Sequence, residues 1–195
     1  MKKILIIGVA IVGLFIIYRL FAGTYNNLVS GQQTVEAQWA QVQNVYQRRA
    51  DLIPNLVNTV KGYADFEQET LTRVIEARAK ATSVTIDAGE LTPDKVAEFQ
   101  QAQGELSSAL SRLLVSVERY PDLKANQNFL DLQTQLEGTE NRIAVERMKF
   151  NETVRSYNTY LKQFPRNILA GIYGFQERGY FDAAPEAEQV PEVQF

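Results

Sequence analysis

The 195-residue chain is 45% hydrophobic and carries 20 basic against 23 acidic residues, a formal charge of −3. That is enough apolar content for one good core in a single soluble body, and a balance too near neutral to mark a nucleic-acid binder. Cysteine and histidine are both absent, which excludes disulfides and thiolate chemistry and removes the commonest general base and metal ligand.

The opening "MKKILIIGVAIVGLFIIYRLFAG" (residues 1–23) is apolar from Ile4 to Tyr18, is interrupted by Arg19 and resumes to Ala22. At about 1.5 Å per residue this span approaches the ~30 Å hydrocarbon thickness of a bilayer, provided Arg19 snorkels. A retained anchor is predicted. The alternative is a cleaved signal peptide with Lys2 and Lys3 as its basic region, although "YRLFAG" offers no A-x-A-like site. Gly8 and Gly13 leave little bulk, so anchors could associate laterally, though the spacing is not GxxxG. Lys2 and Lys3 precede the span and only Arg19 closely follows it, so the N-terminus is predicted to be cytoplasmic and the body outside.

Beyond the anchor, Val35, Trp39, Val42, Tyr46, Arg49, Ile53, Leu56, Val60 and Tyr63 recur at spacings of three and four, and Val74 and Ala77 resume the frame. This predicts one long helix, about 54 residues or roughly 80 Å. Its membrane-proximal part, residues 24–47, reads as a stalk whose stripe Leu28, Val35, Trp39 and Val42 would be free to find partners. Pro54 falls inside the pattern. It deletes a backbone donor and presses on the Ala50 carbonyl, so a kink is expected, or else Asp51 caps a new helix with Pro54 in its first turn.

The second helix is signalled at both ends, by Thr92 as N-cap with Pro93 and Asp94, and by Pro121 as the stop. Its face runs Val96, Phe99, Leu106, Leu110, Leu113, Val117 and Tyr120. The third carries Phe129, Leu132, Leu136, Ile143, Phe150, Val154, Tyr157, Leu161 and Phe164, with a stutter near Glu140, and ends at Pro165. These two are about 27 and 39 residues long. "KATSVTIDAGELTP" reads as a loop and "NILAGIYGF" as one short helix. Residues 176–195, with five acids against Arg178, read as a flexible acidic tail. The expected fold is thus all-α: an N-terminal transmembrane helix continuing into a Pro-kinked helix that packs with two further long helices and one short helix as an elongated antiparallel bundle.

Arg49, Glu140 and Arg147 occupy seam positions, where charges must be paired, and are predicted to form a buried polar layer fixing register. The aromatic residues at helical spacing, Trp39, Tyr63, Phe99, Phe129, Phe150, Tyr157 and Phe164, read as core rather than as a cofactor box. Glu137 with Glu140, or Glu146 near Asn151, could do acid and base work, yet such pairs arise constantly on charged helices. No catalytic, cofactor or metal residues are therefore assigned. "RR" at 48 and 49 is the only basic doublet beyond the N-terminus, so no nucleic-acid partner is expected.

The blocks "RRADLIPNLVNTVKGY", "RYPDLKANQNFLDLQTQLEGTENRI", "FNETVRSYNTYLKQFP" and "GFQERGYF" resemble the LemA family of bacterial membrane proteins, in the family's order and over nearly the whole soluble chain. The resemblance implies a single anchor followed by a helical bundle, residues 48–175, with no established catalysis or cofactor and a place in the inner membrane. Members often carry a histidine before the glutamate after "KGY", where this chain has Phe66, so no role of that histidine carries over. Three functions follow as expectations: an oligomerising scaffold at the membrane surface, an adaptor docking another envelope protein, or a carboxylate-dependent hydrolase. An adaptor could engage its partner through the acidic tail or by strand addition of "VPEVQF".

Overall fold

The computed structural model describes residues 2–62 and 67–182, and those residues are all-helical apart from turns and connections. Helix α1 spans Lys2–Lys61, α2 Gln68–Ser83, α3 Pro93–Val117, α4 Pro121–Lys124, α5 Gln127–Lys162 and α6 Arg166–Tyr173, with a 3₁₀ turn at Ala88–Glu90. The expected all-α bundle with a long N-terminal helix is what the chain forms.

Helix α1 is one 60-residue element that contains both the apolar span and Pro54. It runs antiparallel to α5, a register marked by Asn27 to Tyr160, Gln38 to Glu146 and Arg49 to Glu140. The expected continuation of this helix to Ala77 does not occur. The chain leaves the helix after Lys61, and α2 folds back along α1, so that Leu71 and Val74 join Val57 and Val60 in one cluster. The heptad frame survives because a hairpin turns the same apolar face inward on both arms, and periodicity reports faces, not direction. Tyr63 and Phe66 lie outside the described residues.

Helix α3 begins as its sequence signals: the Thr92 side chain accepts from the Lys95 backbone N–H and Pro93 takes the first turn. It pairs antiparallel with α2 through Lys80 to Glu105 and Arg119 to Glu67. Asn126 caps α5 by accepting from Phe129 N–H at 3.1 Å. Helix α6 ends at Gly174, whose φ of +75° only glycine adopts freely, and the Phe175 N–H closes the turn on the Ala170 carbonyl at 3.0 Å.

The core divides in two. One cluster gathers Leu28, Val35, Trp39, Val42, Tyr46, Phe99, Ile143, Phe150 and Phe181, and the other Ile53, Leu56, Val60, Leu106, Leu110, Leu113 and Leu136. The stripe read as a free stalk is therefore core: Leu28, Val35, Trp39 and Val42 are fully buried. Helix α5 returns along α1 far enough to cover it, so residues 24–47 do not stand free. Trp39 sits at the centre of an aromatic nest, 5.2 Å from Phe99, 5.5 Å from Phe150 and 6.0 Å from Phe181 between ring centroids.

Two further expectations are corrected. Residues 176–182 are packed, with Arg178 and Phe181 buried, whereas 183–195, including "VPEVQF", lie outside the described residues. Phe164, expected in the core, is 80% exposed, because α5 has ended at Lys162 and the chain turns away toward α6.

Candidate functional site

Between the two core clusters the α1–α5 seam carries charge. Arg49, 1% exposed, donates from Nη1 to Glu140 Oε1 at 2.7 Å and to Ser107 Oγ at 2.8 Å, and from Nη2 to the Gln103 carbonyl and side chain. Gln103 in turn donates to the Ala81 carbonyl at 3.0 Å. One guanidinium thus ties α1, α3 and α5 and, through Gln103, the end of α2. The planar fork of arginine suits this divergent task. Its face lies 5.1 Å from the Tyr46 ring centroid. Glu140 is 44% exposed at its side chain, so this ion pair keeps one foot in water and avoids the full desolvation cost of a sealed pair.

Arg147 does not join the pair. Its Nη2 donates to the Asp182 carbonyl at 2.8 Å and its guanidinium lies 4.8 Å from the Phe181 ring. It lines the same open cleft of about 430 Å³ as Tyr46, Arg49 and Glu140. Burial pushes the Tyr46 phenol above its ordinary pKa, against the pull of Arg147 and Arg49. The expected layer is therefore one buried arginine with one half-exposed partner, and the third charge serves the C-terminal segment. The seam position next to Glu140 is filled instead by buried Thr139.

Pro54 sits inside unbroken α1, which rules out the alternative of a fresh helix capped by Asp51. A proline there leaves the carbonyl four residues back without its N–H donor. The Arg78 Nε on α2 supplies one, reaching the Ala50 carbonyl at 2.8 Å. The helix-hostile residue is thereby converted into a docking point for the returning α2.

The segment 174–182, missed by the sequence reading, is held by three side-chain amides that each grip one residue's backbone at both N–H and C=O. Asn158 holds Arg178 at 2.9 and 3.0 Å, Asn151 holds Phe181 at 2.8 and 2.9 Å, and Gln100 holds Asp182 at 3.0 and 3.3 Å. Gly179 N–H reaches the Leu91 carbonyl at 2.9 Å, and a Cβ at this glycine would lie 2.7 Å from Pro93 Cα. Asn151, Asn158 and "GFQERGYF" belong to the family-like blocks, which was the available signal.

The carboxylates weighed for catalysis are engaged otherwise. Glu137 accepts from Gln133 at 2.9 Å, and Glu140 turns to Arg49. Glu146 accepts from Lys149 and Gln38, both at 2.7 Å. The Lys149 ammonium holds its carboxyl below the usual range, aided by Gln38 and opposed by burial. A depressed carboxyl is a poor proton donor near neutrality. Among the described residues, no group of three or more acidic side chains is placed to hold a metal.

At the other end, residues 2–21 of α1 are exposed apart from half-buried Gly13. Ile4, Tyr18 and Arg19 are exposed, Ala22 is half-exposed, and extra atoms at Gly8 or Gly13 would meet nothing within 4 Å. The span is long and apolar enough to cross a membrane. The described body begins at once beyond it, with Thr24 and Leu28 buried.

The sequence profile of the LemA family matches residues 38–195. The chain is 25% identical over 179 residues to Protein LemA of Metamycoplasma hominis, which covers 92% of this chain and 77% of that protein. It is 27% identical over 185 residues to Magnetosome protein MamQ 2 of Paramagnetospirillum magneticum, covering 84% of this chain and 66% of that one. It is 25% identical over 205 residues to Magnetosome protein MamQ of Magnetospirillum gryphiswaldense, at 94% and 74%.

Proposed function

The chain belongs to the LemA family, and from that premise we propose that it is a non-enzymatic, membrane-anchored helical bundle that self-associates as a scaffold at the surface of the bacterial plasma membrane. The observation that carries this reading is the junction within α1. Its first 20 residues are exposed, Gly13 apart, and, Lys2, Lys3 and Arg19 aside, largely apolar, and within a few residues the same helix enters a packed core. Such a helix is suited to hold a rigid body at a bilayer. The relatives' names carry no reaction, and two are named for the magnetosome, which supports a non-catalytic role. The positive-inside reading puts the N-terminus in the cytoplasm and the body outside.

Self-association cannot use the stripe Leu28, Val35, Trp39 and Val42, which the fold consumes. It falls to the uncovered anchor, where Gly8 and Gly13 permit close approach, and to outer faces of the bundle. An adaptor role is the second reading. It is favoured by an open groove of about 730 Å³ between α2 and α3, lined by Glu69, Arg73, Glu105 and Arg112, whose mixed charge suits a polar protein partner.

Mild-detergent extraction followed by mass measurement tests both. Masses at multiples of 22.1 kDa support the scaffold. A single-chain mass with an envelope protein in fixed stoichiometry supports the adaptor, and a lone monomer refutes both.

A further inference from the structure

Helix α6 breaks the rule that a surface helix turns polar side chains to water. Its inward face is Leu169 and Ala170, yet Ile168 is 55% and Ile172 67% exposed, and Phe164, just before it, is 80% exposed. Ile168 and Ile172 stand one turn apart and so share one face of α6, and Phe164 is exposed in the turn that leads into it. The helix thus has an apolar side beyond the one it packs with, and nothing among the described residues covers it.

Its position identifies what does. The Tyr173 ring meets Tyr25 edge-on at 5.1 Å, and Phe175 lies 5.9 Å from the same tyrosine. Tyr25 stands three residues beyond Ala22, where the apolar span ends, about 5 Å along the axis. A bilayer of ~30 Å core and 40–45 Å total leaves roughly 5–8 Å of headgroup layer on each side. The Tyr173 end of α6 therefore sits at headgroup height whenever α1 spans the membrane. Its chemistry suits that layer. From Thr153 to Gln176 there is no acidic residue; Arg155 and Lys162 pair with the flanking Glu152 and Glu177, and Arg166 lies over the Tyr160 ring at 4.1 Å. Tyrosines with one wet end favour the same depth.

We infer that α6, with Phe164, is a second membrane contact: a short interfacial helix that seats the body on the lipid surface holding its own anchor. The inference rests on the proposal that α1 spans a bilayer. Two attachment points fix the body's rotation about α1, which a lone anchor leaves free.

Because the chain lacks cysteine, single-cysteine variants of the full-length protein can each carry one spin label in nanodiscs of mixed zwitterionic and anionic lipid. I168C and I172C are compared with V115C, a position 71% exposed on α3, and V12C in the span. Collision rates are measured with oxygen, which partitions into lipid, and with a water-soluble nickel chelate. The expected result is an oxygen-to-nickel ratio at 168 and 172 raised severalfold over 115 and below that at 12. Ratios at 168 and 172 equal to that at 115 overturn the inference. So does shielding from both reagents with spin–spin broadening, which marks a second copy on this face. If V12C also behaves as a water-exposed site, the anchor reading itself has failed, and that outcome is told apart by this label alone.

Discussion

Replacing Arg78 by methionine tests how the bundle accommodates Pro54. The substitution keeps most of the stem and removes the donor that reaches the Ala50 carbonyl at 2.8 Å. A hydrogen bond from a charged donor contributes about 1.5–3 kcal/mol. Arg78 is half-buried while Ala50 is buried, so partial access of water trims the expected loss to about 1–2 kcal/mol. The mechanism predicts coupling as well as a loss. Pro54→Ala restores an N–H directed at that same carbonyl, so Arg78→Met in the Pro54→Ala background should cost under about 0.5 kcal/mol, a coupling on the order of 1 kcal/mol. The four chains would be unfolded in urea in detergent micelles and followed by the fluorescence of Trp39, the single tryptophan. Losses that add within about 0.3–0.5 kcal/mol would show that Arg78 and Pro54 act independently, and the account of the carbonyl would be abandoned.

Gly179→Ala drives a methyl to within 2.7 Å of the Pro93 backbone, and a melting curve should report a loss of about 1–3 kcal/mol, with faster proteolysis near residue 179; an unchanged melt would contradict the packed C-terminal segment. Trp39→Ala empties the centre of the aromatic nest and should cost about 3–5 kcal/mol, read by urea unfolding followed by circular dichroism; a loss below about 1 kcal/mol would mean the position is not core. The Tyr46 phenol, raised by burial, binds its proton more tightly folded than unfolded. Its contribution to stability is therefore complete below the ordinary tyrosine pKa near 10 and lost as pH climbs through the higher folded value. Ultraviolet titration should show a late-ionising tyrosine that Tyr46→Phe deletes, together with a flatter decline of stability at alkaline pH.

The features legible in the sequence are those that repeat or punctuate. The apolar run of α1, the Thr92–Pro93 start of α3 and the seam from Val35 to Val60 each declare themselves through spacing or capping chemistry. The fold-back after Lys61 did not, because Val74 and Ala77 keep the same phase whether the chain runs on or doubles back. The stripe at Leu28 to Val42 was correctly seen as apolar, but that α5 returns far enough to cover it is a matter of register, fixed by pairs such as Asn27 with Tyr160. The grip of Gln100, Asn151 and Asn158 on residues 178–182 has no period at all. Amide side chains bonding to backbone look, in sequence, like ordinary polar surface. Arg49, Glu140 and Arg147 read in sequence as one buried layer because they share the seam; spacing could not tell that Glu140 would stand half-exposed beside Arg49, or that Arg147, a heptad further on, would find a carbonyl and an aromatic face instead.

Helix α1 passes from the apolar span into the body without a joint, and this makes it a lever. About 39 residues separate Ala22 from Lys61, roughly 58 Å of helix. A lean of ~20° from the membrane normal, common for single spans, displaces the upper end sideways by about 20 Å. Such leaning responds to mismatch between span length and lipid thickness. With the span in a bilayer, as proposed, a thinner or thicker sheet of lipid would be translated through this unbroken helix into where the α2–α3 hairpin stands.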